Sequence, residues 1–142
     1  MSGVAHTYML DTDIVSDLAR NPQGRVAVRL ATVGVASVAV SIVVVCEIEY
    51  GLARLQRHQQ KGKRFIAQTR GVLRRVAKLD FAPPADAHYG DIRAFLEHAG
   101  TVIGPNDLLI AAHARALGCT LVTGNVAEFA RVPGLAVENW LG

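Results

Sequence analysis

Cysteine is scarce, with only Cys46 and Cys119 in 142 residues. There is no CxxC pair and no cysteine–histidine spacing of a zinc site. A disulfide-stapled secreted scaffold is thereby excluded. Each thiol has apolar or small neighbours (Val44 and Val45, Leu121 and Val122), so both are expected to be buried and reduced, which suits a cytoplasmic protein. Charged residues are also sparse, at 19% against 51% hydrophobic, which excludes a disordered chain as a class. No basic-then-apolar signal pattern opens Met1 to Tyr8. Leu30 to Cys46 carries no charge, yet it is shorter than the roughly 20 apolar residues of a membrane span. Gly34, Ser37 and Ser41 interrupt it, so a buried strand running into a buried helix is expected. Acids are missing altogether between Glu49 and Asp80. His88, His98 and His113 make no HExxH pattern and are expected to be surface or satisfied histidines. Gly3, Gly34 and Gly71 make no phosphate-binding loop.

What is present reads as strands alternating with helices. A short first strand, His6 to Leu10, stops at Asp11, whose side chain suits a helix start. The helix runs to about Ala19. A break at Asn21-Pro22 precedes a second helix, Pro22 to about Val33. Val35 to Val40 fits a buried strand, and Ser41 is an N-cap for a helix from Ile42 to about His58. Lys61 to Lys78 fits a basic amphipathic helix, and Leu79 to Ala82 a strand ended by Pro83-Pro84. A helix from Ala85 to about His98 ends at Gly100. Gly104-Pro105 opens another, closed by Gly118. Cys119 to Thr123 and Leu135 to Trp140 complete the extended segments. This alternation predicts an α/β domain with a mostly parallel sheet and helices on both faces.

Polar residues fall where such a sheet places its chemistry. Asp11 follows the first strand, Glu47 lies in the helix after the second, Asp107 is in the first turn after Gly104-Pro105, and Asn125 follows the Cys119–Thr123 strand. Strand C-termini and the helix starts beyond them share one edge, where ligands bind. Clustered carboxylates repel and resist desolvation. A magnesium ion, which takes oxygen ligands, resolves both problems and can activate water for phosphodiester cleavage. Asp107 is in line with Ile110, Ala111 and Ala114, a core-facing stripe and an odd place for a solvated acid. Glu47 and Glu49 both sit among apolar neighbours, and periodicity does not choose between them.

The segments YMLDTDIVSDL, SIVVVCEIEYGLARL and IGPNDLLIAAHARALGCTLVTGNVAEFARVPGLAVENW resemble PIN-domain toxins of the VapC type, in order and spacing over nearly the whole chain. The resemblance implies a single three-layer PIN domain over residues 1–142. It implies a Mg²⁺- or Mn²⁺-dependent endoribonuclease acting on RNA, dimeric and inhibited by a cognate VapB-type antitoxin in a hetero-oligomer. The family's acids fall on Asp11, Glu47 (rather than Glu49) and Asp107, with Asp13 as a supporting partner of the site. The fourth position, often Asp, is Asn125, which adds no charge and weakens the case for a second metal. Thr123 matches a small hydroxyl position beside it.

Two other classes compete. LDTDIV also fits the opening of haloacid-dehalogenase-type phosphatases, but no Lys follows Lys78 and no acidic pair follows Gly124. A non-catalytic nucleic-acid-binding module would explain Asn125, but three bare carboxylates repel phosphate. Nine of the 15 basic residues lie between Arg54 and Lys78. Arg54, Lys61, Arg74 and Arg75 are therefore expected to contact RNA.

Overall fold

The computed structural model describes residues 5–58 and 62–142. Five strands form one sheet: β1 (Tyr8–Leu10), β2 (Val38–Ser41), β3 (Ala77–Leu79), β4 (Thr120–Val122) and β5 (Val137–Glu138), in the order β3-β2-β1-β4-β5. Every pairing is parallel, so "mostly parallel" becomes wholly parallel. The helices are α1 (Thr12–Arg20), α2 (Arg25–Val33), α3 (Ile42–Arg57), α4 (Lys63–Arg75), α5 (Ala85–Ala99), α6 (Pro105–Leu117) and α7 (Val126–Phe129). The chain steps from β1 outward to β2 and β3, then returns to the other side of β1 for β4 and β5. Right-handed crossovers in these two directions place helices on opposite faces. None of the helices among the described residues is long and apolar enough to cross a membrane.

Burial explains the strand sequences. Met9, Leu10, Val38, Ala39, Val40, Leu121 and Val122 are all fully buried, the uninterrupted apolar run of a strand covered on both faces. Edge strand β3 instead exposes Ala77 and Lys78, and a lysine on an edge discourages pairing with another chain. The helix signals are local and hold. Asp11 Oδ1 accepts the Thr12 amide at 2.8 Å, and Ser41 Oγ accepts the Val43 amide at 3.1 Å. Gly100 and Gly118 end α5 and α6 at φ 72° and 69°, left-handed backbone that glycine adopts without a Cβ clash.

Several boundaries differ from the expected ones. Helix α2 starts at Arg25 and not Pro22, because the Gly24 amide bonds back to Asn21 O and closes a turn. Val35–Ser37 wind into one 3-10 turn, with Ser37 Oγ bonded to Val33 O and Gly34 O. The long basic helix ends at Arg75, and Lys78 lies in β3, where its ammonium bonds the Leu73 carbonyl at the end of α4. The strand placed at Leu79–Ala82 is Ala77–Leu79, and α7 was not anticipated. Cys119 is buried as expected, but Cys46 is exposed, since it falls on the outward side of α3.

Candidate active site

The order of the strands creates a switch point between β1 and β4, where consecutive connections leave in opposite directions. Ligand sites of parallel sheets form outside the strand C-termini at such a point. Asp11 follows β1 there, and Thr123 follows β4. The two meet: Thr123 Oγ1 donates to Asp11 Oδ2 at 2.8 Å. Thr123 is fully buried and Asp11 is 8% exposed. The Thr123 hydroxyl oxygen also accepts the Asn125 amide at 3.0 Å, which sets the turn into α7.

Glu47 joins from α3. Its Oε1 accepts from the Thr12 hydroxyl at 2.7 Å and its Oε2 from the Asn106 amide at 3.2 Å. Thr12 thus bridges two acids, giving its backbone N–H to Asp11 and its hydroxyl to Glu47. Glu49, the alternative, instead pairs with Arg70 on α4, away from this network. Asp107 enters from the first turn of α6, close enough to feel the charges of Asp11 and Glu47. The structure therefore brings together Asp11, Glu47, Asp107, Thr123 and Asn125.

An acid that sequence reasoning missed completes the cluster. Glu128, on α7, accepts from the Gly104 amide at 3.3 Å and from Asn125 Nδ2, and it lies close enough to Asp107 to raise that residue's pKa. The side chain of Asn125 thus serves as a strut for Glu128. The only signal for Glu128 in the sequence is its place three residues after Asn125, which becomes meaningful once α7 exists.

Asp13 has a supporting position. Its Oδ2 accepts the Gly124 amide at 2.8 Å, tying α1 to the loop after β4. A Cβ on Gly124 would lie 2.6 Å from that oxygen, so the approach needs glycine. His113 is 2% exposed, with Nδ1 2.7 Å from Ser41 Oγ, and burial lowers its pKa. It is a satisfied core histidine, and His88 is likewise engaged, by Arg115.

The charge state follows from packing. Burial, opposed in part by the bonds from Thr123 and Thr12, pushes the Asp11 pKa up to about 6. Burial, and then the bond to and charge of Glu128, push Asp107 up to about 7. Glu128 moves the opposite way, held down by its bond to Asp107 and by the Gly104 and Asn125 donors. The two carboxyls are thus pushed apart, Asp107 toward its protonated form and Glu128 toward its charged one. Among the described residues no three His, Cys, Asp or Glu side chains are already gathered as a metal-ligand set.

The basic residues separate. Arg54 lines a cleft that also contains Thr12 and Glu47. Arg74 and Arg75 are exposed at the end of α4, just ahead of edge strand β3 and two strands from β1. Among the described residues no hydrogen bond or ion pair joins them to the acids. Lys61 lies outside the described residues.

Fold and site together define a PIN domain, and the PIN-domain family model matches residues 8–135. Ribonuclease VapC2 of Rickettsia felis is 37% identical over 134 residues, 94% of this chain and 97% of that protein. The tRNA(fMet)-specific endonuclease VapC of Shigella flexneri is 36% identical over 133 residues, again 94% and 97% of the two chains. The crystal structure of DNA-bound VapBC from Salmonella typhimurium superposes with a TM-score of 0.84 at 32% identity, covering 95% of this chain and 98% of that one. The chain belongs to the PIN-domain family, in its VapC-type branch.

Proposed function

We propose that the chain is the ribonuclease toxin of a toxin–antitoxin pair, cleaving RNA with the help of Mg²⁺ and held in check by a VapB-type antitoxin. The observation that carries the reading is that Asp11, Glu47 and Asp107 lie at the switch point within range of one another's charge, with the pKa of Asp11 and of Asp107 raised toward neutral pH. Such a group is poised to exchange protons for a cation. Its donors are all oxygens, which suits Mg²⁺ or Mn²⁺. Mg²⁺ needs only one or two carboxylates beside waters and substrate phosphate, so a fully gathered protein ligand set is not required. Asp11, Asp107 and Glu47 would hold it, with Asp13 bracing the loop behind them. When bound, the ion lowers the pKa of a water and offsets charge on the phosphate.

The protein's own contribution is orientation. Thr12 and Thr123 fix both oxygens of Asp11, and Thr12 with Asn106 fixes both oxygens of Glu47. No freedom is then lost at the moment of reaction. Burial and the neighbouring Glu128 together raise the Asp107 pKa, so its carboxyl holds a proton more readily than a free aspartate.

Incubation of single-stranded and transfer RNA with the purified protein should give discrete cleavage with Mg²⁺ and none with EDTA. Cleavage undiminished in EDTA would overturn the metal-dependent reading. A non-catalytic nucleic-acid module predicts binding without cleavage in both. The solved relatives that are VapBC complexes support the antitoxin partner, whose basic side chain would neutralise the carboxylates. Sedimentation at micromolar concentration should give a dimer, converted to a larger complex by the antitoxin. A monomer indifferent to antitoxin would remove that part of the reading.

A further inference from the structure

We propose that the cleft between α1, α3 and α4 is a subsite for one nucleobase of the RNA strand, next to the carboxylates. The inference rests on the ribonuclease reading and gives that site a means of choosing where to cut. The cleft has a volume of about 280 Å³, at the small end of the roughly 300 Å³ and upward of small-molecule sites. One planar ring fits. A peptide helix, about 10 Å across with its side chains, is too wide to enter whole, so a protein partner would compete for the cleft only through a single inserted side chain.

Its walls suit a base. Leu52, Leu55 and Phe65 supply apolar surface, and the Arg20 guanidinium lies over one face of the Phe65 ring, 4.6 Å from its centroid. Aromatic rings and guanidinium planes are the surfaces on which unstacked bases settle. An unpaired polar group lies behind the wall. Thr69 lines the cleft, is 2% exposed, and its hydroxyl is the one buried side-chain polar atom without a hydrogen bond among the described residues. A buried hydroxyl without a partner is costly, and a rotation of this side chain would bring it to a base edge held in the cleft.

Space has also been left open. Gly51 lies inside α3, one turn after Glu47, where glycine is intrinsically poor. Nothing lies within 4 Å of where its Cβ would be, so packing does not demand glycine. The absent side chain keeps the cleft wall back. Glu47 forms the end of the cleft nearest the acids, so a base held there delivers its neighbouring phosphate to them.

The test measures binding of short single-stranded RNAs, each with one abasic nucleotide at a successive position, to the Asp107→Asn protein. One position should weaken binding about tenfold or more, the scale of a lost base–aromatic stack. On that background Phe65→Ala should weaken the intact RNA by a similar factor and remove the abasic effect at that position alone, while Phe65→Trp retains it. Gly51→Leu fills the cleft and should reproduce Phe65→Ala. It also raises helix propensity, so it remains informative where Phe65→Ala does not fold. Equal losses at every abasic position, or an abasic effect unchanged in both Phe65→Ala and Gly51→Leu, would overturn the subsite. So would variants that keep the base effect but escape the antitoxin, which would assign the cleft to the protein partner. A positional effect in binding, without any cleavage by the wild-type protein in Mg²⁺, would retain the subsite and sink the ribonuclease reading.

Discussion

Asp107→Asn is expected to lower Mg²⁺-dependent RNA cleavage by about a thousandfold while making the metal-free protein more stable near neutral pH. The first effect follows from removing a charge that holds the cation, a loss on the order of 4 kcal/mol of transition-state stabilisation. The second follows from proton linkage. Folding raises the Asp107 pKa from 3.8 to about 7. As pH rises between these values, the unfolded chain gives up this proton before the folded one does. Metal-free stability therefore falls across the window. Asp11 acts in the same direction between 3.8 and about 6. His113 opposes both, because its lowered pKa makes stability rise with pH below about 6.5. The difference between wild type and Asp107→Asn reports Asp107 together with the carboxyls it is coupled to, Glu128 foremost. After allowance for the screening of a half-buried group, it should grow by about 1–2 kcal/mol from pH 4.5 to 7.5 in EDTA. Urea unfolding at several pH values measures it. A difference that does not change with pH would show that Asp107 is ionised throughout, and wild-type cleavage by the variant would remove it from the site.

Replacing Glu128 is expected to have the next largest effect. Glu128 accepts from Gly104 and Asn125 and raises the pKa of Asp107 beside it. Glu128→Ala leaves those donors without their acceptor and unties α7 from α6. Groups that orient metal-holding carboxylates typically contribute about 10- to 100-fold to affinity or activity, and cleavage should fall toward the upper end of that range. The Asp107 pKa should fall as well, because a neighbouring charge and the bond that retains its proton are both gone. Glu128→Gln keeps the volume and one acceptor oxygen, so it should be milder than Ala. Mg²⁺ titration followed by protein stability, alongside cleavage rates, would read both changes. Wild-type metal affinity and wild-type rate in Glu128→Ala would reduce Glu128 to a surface acid.

Much of the site is legible before the fold is known. Asp11 is a helix cap, and the aspartate that caps α1 must also lie where β1 ends. Asp107 stands on the apolar stripe of α6, which marks it as a desolvated acid. The choice of Glu47 over Glu49 is not legible from periodicity. The structure separates them by partner: Glu47 takes Thr12 and Asn106, whereas Glu49 faces outward to Arg70. The basic stretch is read correctly as helical for most of its length, but its residues diverge in use. Arg54 stands at the cleft, Lys78 closes the end of α4, and Arg74 and Arg75 sit beside the edge strand.

The sequence by itself determined most of the elements, the caps at Asp11 and Ser41 and the apolar central strands, because each depends on residues only a few positions apart. Side-chain oxygens of Asp11 and Ser41 find amides one or two residues on, and burial on both faces imposes continuous hydrophobic runs. Only the tertiary structure decided which acids lie within reach of one another, that Asn125 braces Glu128, and that Cys46 is exposed. Those outcomes depend on the strand order β3-β2-β1-β4-β5. It places residues 11 and 123 within a hydrogen bond of each other and sets α7 against the start of α6. Contacts across such separations arise from sheet pairing and helix packing together, and no local pattern encodes them.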